Sequence, residues 1–270
     1  MVDRIPSGTR DVLPDEMREL RAMTDRIRGV FDAAGYGEVY TPALEYESTF
    51  APAEGTSTRP AYRMFDEQGT VLVLRPDMTV PIARLVATRY QHSEPPVRLC
   101  YMAHAYRGVR PQRGQSREIL QAGVELIGAP APEGTAEALS VLCAALDAAG
   151  LQTYRIALGD ASLYPALLQA MGVGEVAAEE LVQRLGAGDF VGLARGIQAL
   201  DLGAQDAELL LSVAQTRGGA EVIDGRSGPV ETAVEGMRAV HALLAPKVAQ
   251  RIIFDLGLVR SIGYYTGAVF

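Results

Sequence analysis

The chain has 270 residues, 48% of them apolar and 21% charged, with a formal net charge of −8. That suffices for one large or two smaller globular domains and excludes a disordered chain; no run approaches the roughly 18 apolar residues of a membrane span. The acidic balance argues against a broad nucleic-acid surface, which needs clustered cations, and leaves room only for a local basic site.

The first strong element is a helix opened by Pro14, with an apolar stripe through Met17, Leu20, Ile27, Val30 and Phe31. Gly35 ends it in the manner of a C-terminal glycine cap. A short strand over Gly37 to Thr41 follows, broken by Pro42. Residues 51–61 read as a Pro/Ser/Thr loop, and YRMFDEQGTVLVLRP reads as a hairpin turning near Gln68 and Gly69. PDMTVPIARLVATRY opens a second helix. Residues 97–107 and 117–127 are two strands joined by an Arg-rich, Gly-punctuated loop. Glu133 to Ala149 is an apolar helix ended by Gly150, and YRIALG is a further strand.

From 161 to 245 the character changes to helical and Ala/Leu-rich, with breaks at Gly172, Gly186 and Gly218-Gly219. Residues 161–250 carry eleven Asp and Glu against six Arg and Lys, a poor balance for gripping tRNA. Strands return at RIIFDLG and YYTGAVF. The expected fold is an α+β, antiparallel sheet flanked by helices, made by residues 1–160 and 246–270, with a helical insertion over 161–245. TRGGAEVIDG has the wrong glycine spacing for a dinucleotide fingerprint and reads as a turn.

Cys100 and Cys143 form neither a disulfide framework nor a metal-ligand spacing, so buried free thiols in a reducing cytoplasm are expected and no metal site. MVDRIPSGTRD carries no apolar signal region. His92 falls in a Pro-rich loop, His104 has the opposite strand parity to Arg107, and His241 sits in a helix; none joins a catalytic set.

Strand parity singles out one face. Gln121, Gly123 and Glu125 alternate with the apolar Leu120, Ala122, Val124 and Leu126. On the preceding strand Tyr101, Ala103, Ala105 and Arg107 form one set. If the two sets share a face, a small-residue floor is walled by Tyr101, Arg107, Gln121 and Glu125, with Asp77 and Thr79 added by the LRPDMT turn and Gly123 leaving room above the backbone. Carboxylates for an ammonium and an arginine for a carboxylate suit a zwitterion. Alternatively, Gln121 and Glu125 are simply solvated and Asp77 is a helix N-cap.

IPSGTRDVLP, GYGEVYTPALE, LRPDMT, AYRGVRPQRGQSREILQAGVELIG and LVRSIGYYTGAVF stand in the order found in histidyl-tRNA synthetases and their paralogues. The resemblance runs from residue 5 to the last residue. It implies a class II aminoacyl-tRNA synthetase-like core, dimeric through residues 35–50. LRPDMT and REILQAGVELIG resemble the regulatory subunits of ATP phosphoribosyltransferase, where synthetases usually read LRPEGT and RYRQFHQ. By that resemblance Asp77, Thr79 and Gln121 match residues on the α-amino group of histidine. Glu125 and Tyr264 match those on the imidazole, and Arg107 and Arg260 match arginines near the carboxylate.

The ATP half of the pattern is not kept. Val109 and Gln115 stand where a synthetase places a glutamate near adenine and an arginine near the phosphates, although Arg107, Arg110, Arg113 and Arg117 remain. Both losses weaken positioning and charge stabilisation. Gly263 also replaces the aspartate of the synthetase R-G-L-D-Y-Y motif. The sequence stops at Phe270, short of the Gly-rich strands and arginine motif that complete an ATP site, and is read as C-terminally truncated.

The resemblance therefore implies a cytoplasmic, non-catalytic regulatory subunit with no cofactor and no tRNA. It would bind L-histidine, work with the short-form catalytic subunit and confer feedback control. The alternative is a histidyl-tRNA synthetase core using ATP and magnesium. A third possibility is a stand-alone paralogue that modifies another amine or binds another amino acid.

Overall fold

The computed structural model describes residues 5–50, 61–108, 116–259 and 265–270. The chain divides into two compact units, residues 1–129 with 141–152 and residues 130–140 with 153–270.

The first unit opens on α1 (Pro14–Ala33), with Pro14 in its first turn and Asp15 and Glu16 at the positive end of its dipole. Gly35, at φ 82°, lets the chain leave the helix as its spacing predicts. Next comes β1 (Gly37–Glu38), shorter than the expected strand to Thr41; it pairs parallel with β5 (Val97–Tyr106) through Gly37 and Leu99. The Arg28 guanidinium binds both Glu38 oxygens, tying α1 to β1.

After Pro42 the chain enters a second sheet. It resumes as β2 (Leu44–Tyr46), which pairs antiparallel with β4 (Val71–Leu74), itself the partner of β3 (Arg63–Phe65). Pro42 removes one amide donor, while Arg75 captures the carbonyls of Thr41 and Pro42 and holds the bend. The β3–β4 turn falls where expected. Asp66 accepts from the amides of Gln68 and Thr70, and Gly69 takes φ 83°.

β5 and β6 (Glu118–Ile127) make a ten-residue antiparallel ladder, the backbone of this unit. One face carries Cys100, Met102, Val124 and Leu126 against Ile27 and Phe31 of α1 and Val141 and Ala145 of α3 (Glu133–Ala149). The other carries Leu99 and Ala103 against Met78 and Ile82, the latter from α2 (Thr79–Arg89). The apolar set on β6 is a core face only in part, since Leu120 and Ala122 at its start are exposed.

In the second unit, β7 (Ile156–Asp160) and β9 (Ile252–Asp255) pair parallel, flanked by β10 (Ala268–Val269) and β8 (Arg217–Gly218). Parallel pairing requires a long crossover, and the helical stretch supplies it. It contains α4 (Leu163–Ala170), α5 (Glu175–Gly186), α6 (Phe190–Gln198), α7 (Ala204–Gln215) and α8 (Glu231–Leu243), followed by the single turn α9 (Pro246–Ala249). Leu163, Leu168, Leu193, Ile197, Leu210 and Met237 are fully buried there. The α+β class and the helical character of 161–245 agree with the sequence reading.

Candidate functional site

The register of the β5–β6 ladder decides the parity question. Tyr101 lies opposite Gly123, Ala103 opposite Gln121, and Leu99 opposite Glu125. Directly opposed residues share a face, so Tyr101, Ala103, Gln121, Gly123 and Glu125 do line one surface. Ala103 and Ala105 are buried, giving the small-residue floor.

The room above Gly123 is not empty, however. A Cβ at this position would overlap the Tyr101 ring, so the glycine admits the ring across the strand pair. Leu99, which the sequence reading did not single out, forms a buried apolar wall beside Glu125.

α2 brings the LRPDMT turn onto this face. Thr79, its first residue, donates from Oγ1 to Glu125 Oε1 at 2.9 Å. Asp77 Oδ1 accepts from the amide of Val80 at 3.2 Å, so Asp77 does cap the helix while standing beside the site. Burial pushes the Glu125 carboxyl up to about 7; the Thr79 hydrogen bond opposes this and the nearby Asp77 charge adds to it. A carboxyl near neutrality beside a hydroxyl and a second carboxylate is suited to hold a cation or a ring N–H.

Arg75 is the positioning residue that the sequence reading passed over. It is buried, and its guanidinium binds the carbonyls of His104, Thr41 and Pro42. Its own carbonyl accepts from the amide of Tyr106 at 2.9 Å. The turn bearing Asp77 and Thr79 is thereby clamped to β5. An arginine flanked by apolar strand and proline was the available signal.

Thus Asp77, Thr79 and Glu125 are brought together, with Gln121 and Tyr101 on the same face. Arg107 stands beyond the end of β5, exposed, its amide donating to Arg117 O at 2.8 Å. It is eight residues from Leu99, the partner of Glu125, or roughly 26 Å along the ladder. Arg260 and Tyr264 lie outside the described residues, as do Val109, Arg110, Arg113, Gln115 and Gly263.

His104 faces away from the site, opposite Leu120, and His241 packs its ring 5.3 Å from Phe254. Cys100 and Cys143 are buried free thiols, and burial raises the Cys100 thiol to about 11. Among the described residues no group of three or more His, Cys, Asp and Glu is placed to hold a metal, and no helix is long and apolar enough to cross a membrane.

Known proteins give this geometry a family. The histidyl-tRNA synthetase family profile matches residues 8–270. The ATP phosphoribosyltransferase regulatory subunit of Symbiobacterium thermophilum is 42% identical, covering 99% of this chain and 69% of that protein. That of Desulforamulus reducens is 36% identical, covering 99% and 68%. A solved ATP phosphoribosyltransferase regulatory subunit/histidyl-tRNA synthetase from Bacillus halodurans superposes with a TM-score of 0.89 at 32% identity, over 99% of this chain and 72% of that one. A histidyl-tRNA synthetase from Nostoc, 19% identical with a TM-score of 0.79, covers 99% of this chain and 64% of its own, and shares the fold alone. The architecture is therefore that of the class II synthetase core, and the chain belongs to the histidyl-tRNA synthetase family, in the branch of the ATP phosphoribosyltransferase regulatory subunits.

Proposed function

We propose that this chain is a non-catalytic regulatory subunit of ATP phosphoribosyltransferase that binds L-histidine and passes feedback to a short-form catalytic partner. The observation that carries the reading is the Thr79–Glu125 hydrogen bond on the strand face that also bears Leu99 and Ala103, with Asp77 beside it. Glu125 takes the imidazole, with Tyr264 on the same ring, while Asp77, Thr79 and Gln121 take the ammonium. Arg260 answers the carboxylate, whereas Arg107, roughly 26 Å along the ladder from the strand partner of Glu125, is too far to touch the same histidine. The names of the relatives support the regulatory role and the partner.

The proposal needs no cofactor. Val109 and Gln115, in place of the glutamate and arginine of the synthetase pattern, leave ATP without its adenine and phosphate contacts. Coupling is linkage: histidine binds one state of the assembly better and biases the partner toward low activity. The subunit works as a homodimer through residues 35–50. Its support is the exposure of Tyr40, Leu44 and Tyr46, with the last two on one face of β2.

Calorimetric titration with L-histidine, histidinol and ATP tests the reading. Selective histidine binding, lost in Glu125→Ala, is the expected result. ATP binding that tightens with histidine would favour the synthetase core instead, the reading that the family profile alone would suggest.

A further inference from the structure

The helical stretch of the second unit holds a half-open cavity of about 390 Å³, at the lower end of the size range of small-molecule sites. Its lining is mostly hydrocarbon. Leu167 comes from α4, Leu209 and Val213 from α7, and Val230 from the short 3-10 turn before α8. Leu167, Val213 and Val230 are buried, so the floor is fixed by the packing of these helices.

Two opposite charges, Asp206 and Arg226, also line the cavity, and among the described residues neither forms an ion pair. The Nε of Arg226 donates to Val222 O at 2.6 Å. That bond holds the guanidinium in place and leaves its two terminal nitrogens as donors. Asp206 lies in the first turn of α7. A held cation and an exposed carboxylate lining one apolar cavity without pairing with each other match a zwitterion with a hydrocarbon side chain.

We propose that this cavity is a second amino-acid site, which takes an aliphatic α-amino acid. The carboxylate meets Arg226, the ammonium meets Asp206, and the side chain lies on Leu167, Leu209, Val213 and Val230. The site is separate in its residues from the face around Glu125 and does not depend on what that face binds.

The test is calorimetric titration of the full chain with L-leucine, 4-methylpentanoate and isopentylamine. The last two keep the hydrocarbon and each lack one charge. Saturable leucine binding is expected, with each analogue weaker by about tenfold or more, the effect of one charge-assisted hydrogen bond. Arg226→Gln and Asp206→Asn are each expected to weaken leucine by a similar factor, and Glu125→Ala to leave it unchanged. Absence of saturable leucine binding up to about 10 mM, a regime already weaker than ordinary metabolite affinities, overturns the proposal. So does equal binding of leucine and 4-methylpentanoate, a comparison that requires no variant. Leucine binding lost in Glu125→Ala but kept in Arg226→Gln would place the ligand at the other face and also overturn it.

Discussion

Thr79 Oγ1 donates to Glu125 Oε1 at 2.9 Å, so the first residue of α2 is joined to a residue of β6 forty-six positions later. The bond fixes one carboxyl oxygen and leaves the other for a ligand. It also favours the ionised carboxyl, which desolvation disfavours. Thr79→Val keeps the side-chain shape and removes the donor. Histidine affinity is expected to fall by about tenfold, corresponding to one hydrogen bond to a charged group. Thr79→Ser should recover most of it. Equal affinities for all three proteins by calorimetry would remove Thr79 from the site.

The same carboxyl makes stability depend on pH. Its folded value, about 7, lies above the ordinary 4.5, so the native state holds this proton more tightly than the unfolded chain. The stability associated with the protonated form is fully present below 4.5, falls as pH rises toward 7, and is constant above that. Glu125→Gln removes the titration. The variant should be more stable than the parent above pH 7, by on the order of 2–3 kcal/mol, and equal to it below pH 4.5. Urea denaturation at pH 4 and pH 8 reads the difference directly, and parallel pH profiles for the two proteins would contradict it.

Histidine binding should carry the complementary signature. A free imidazole titrates near about 6.5, just below the value for Glu125. One proton shared between ring and carboxyl gives the attractive pair, whichever partner carries it. At low pH both are protonated and the imidazolium faces a neutral acid; at high pH both have lost the proton. Affinity should therefore be bell-shaped with its maximum between about 6.5 and 7. A flat profile from pH 5 to 8.5 would show that Glu125 does not meet the ring.

Much of this was legible in the sequence, because strand parity and capping chemistry are local. Alternation put Gln121, Gly123 and Glu125 on one face, and Pro14 and Gly35 marked the first helix. The ladder register, Tyr101 on Gly123, was not legible, since it depends on two strands meeting. Nor was the Tyr101 ring over Gly123, which turns apparent space into an aromatic lid. The long-range capture by Arg75 of three carbonyls escaped for the same reason. β2 is not legible because a proline marks the end of a strand in sequence terms, whereas here the chain bends at Pro42 and joins another sheet.

Glu45, on that unforeseen strand, is 6% exposed and is held by the Arg84 guanidinium through two bonds of 2.8 and 2.7 Å. Arg84→Ala would leave a buried carboxylate without its cation. Loss of a fully buried partner costs about 3–5 kcal/mol, and the partial exposure of Arg84 lets water lower this to about 2 kcal/mol. Adding Glu45→Gln should return part of the loss, because the remaining group is neutral. A double-mutant cycle by chemical denaturation checks both values, and additive losses would mean that the pair is not coupled.

Glu45 points its neighbours outward. Leu44 and Tyr46 fall on the opposite face of β2, where Leu44 pairs with Leu74 and Tyr46 with Leu72, and Met64 pairs with Leu72 from the far side. Leu44 and Tyr46 are 44% and 54% exposed, and Tyr40 just upstream is 82% exposed. An apolar sheet face of this kind is stable in water when a second surface covers it, and the proposed homodimer supplies that surface. Leu44→Glu places a charge at the centre of the contact, where an unpaired buried charge is strongly unfavourable. Sedimentation at micromolar concentration should show a dimer for the parent and a monomer for the variant, with the variant still folded by circular dichroism. A dimer that survives the substitution would move the interface away from β2.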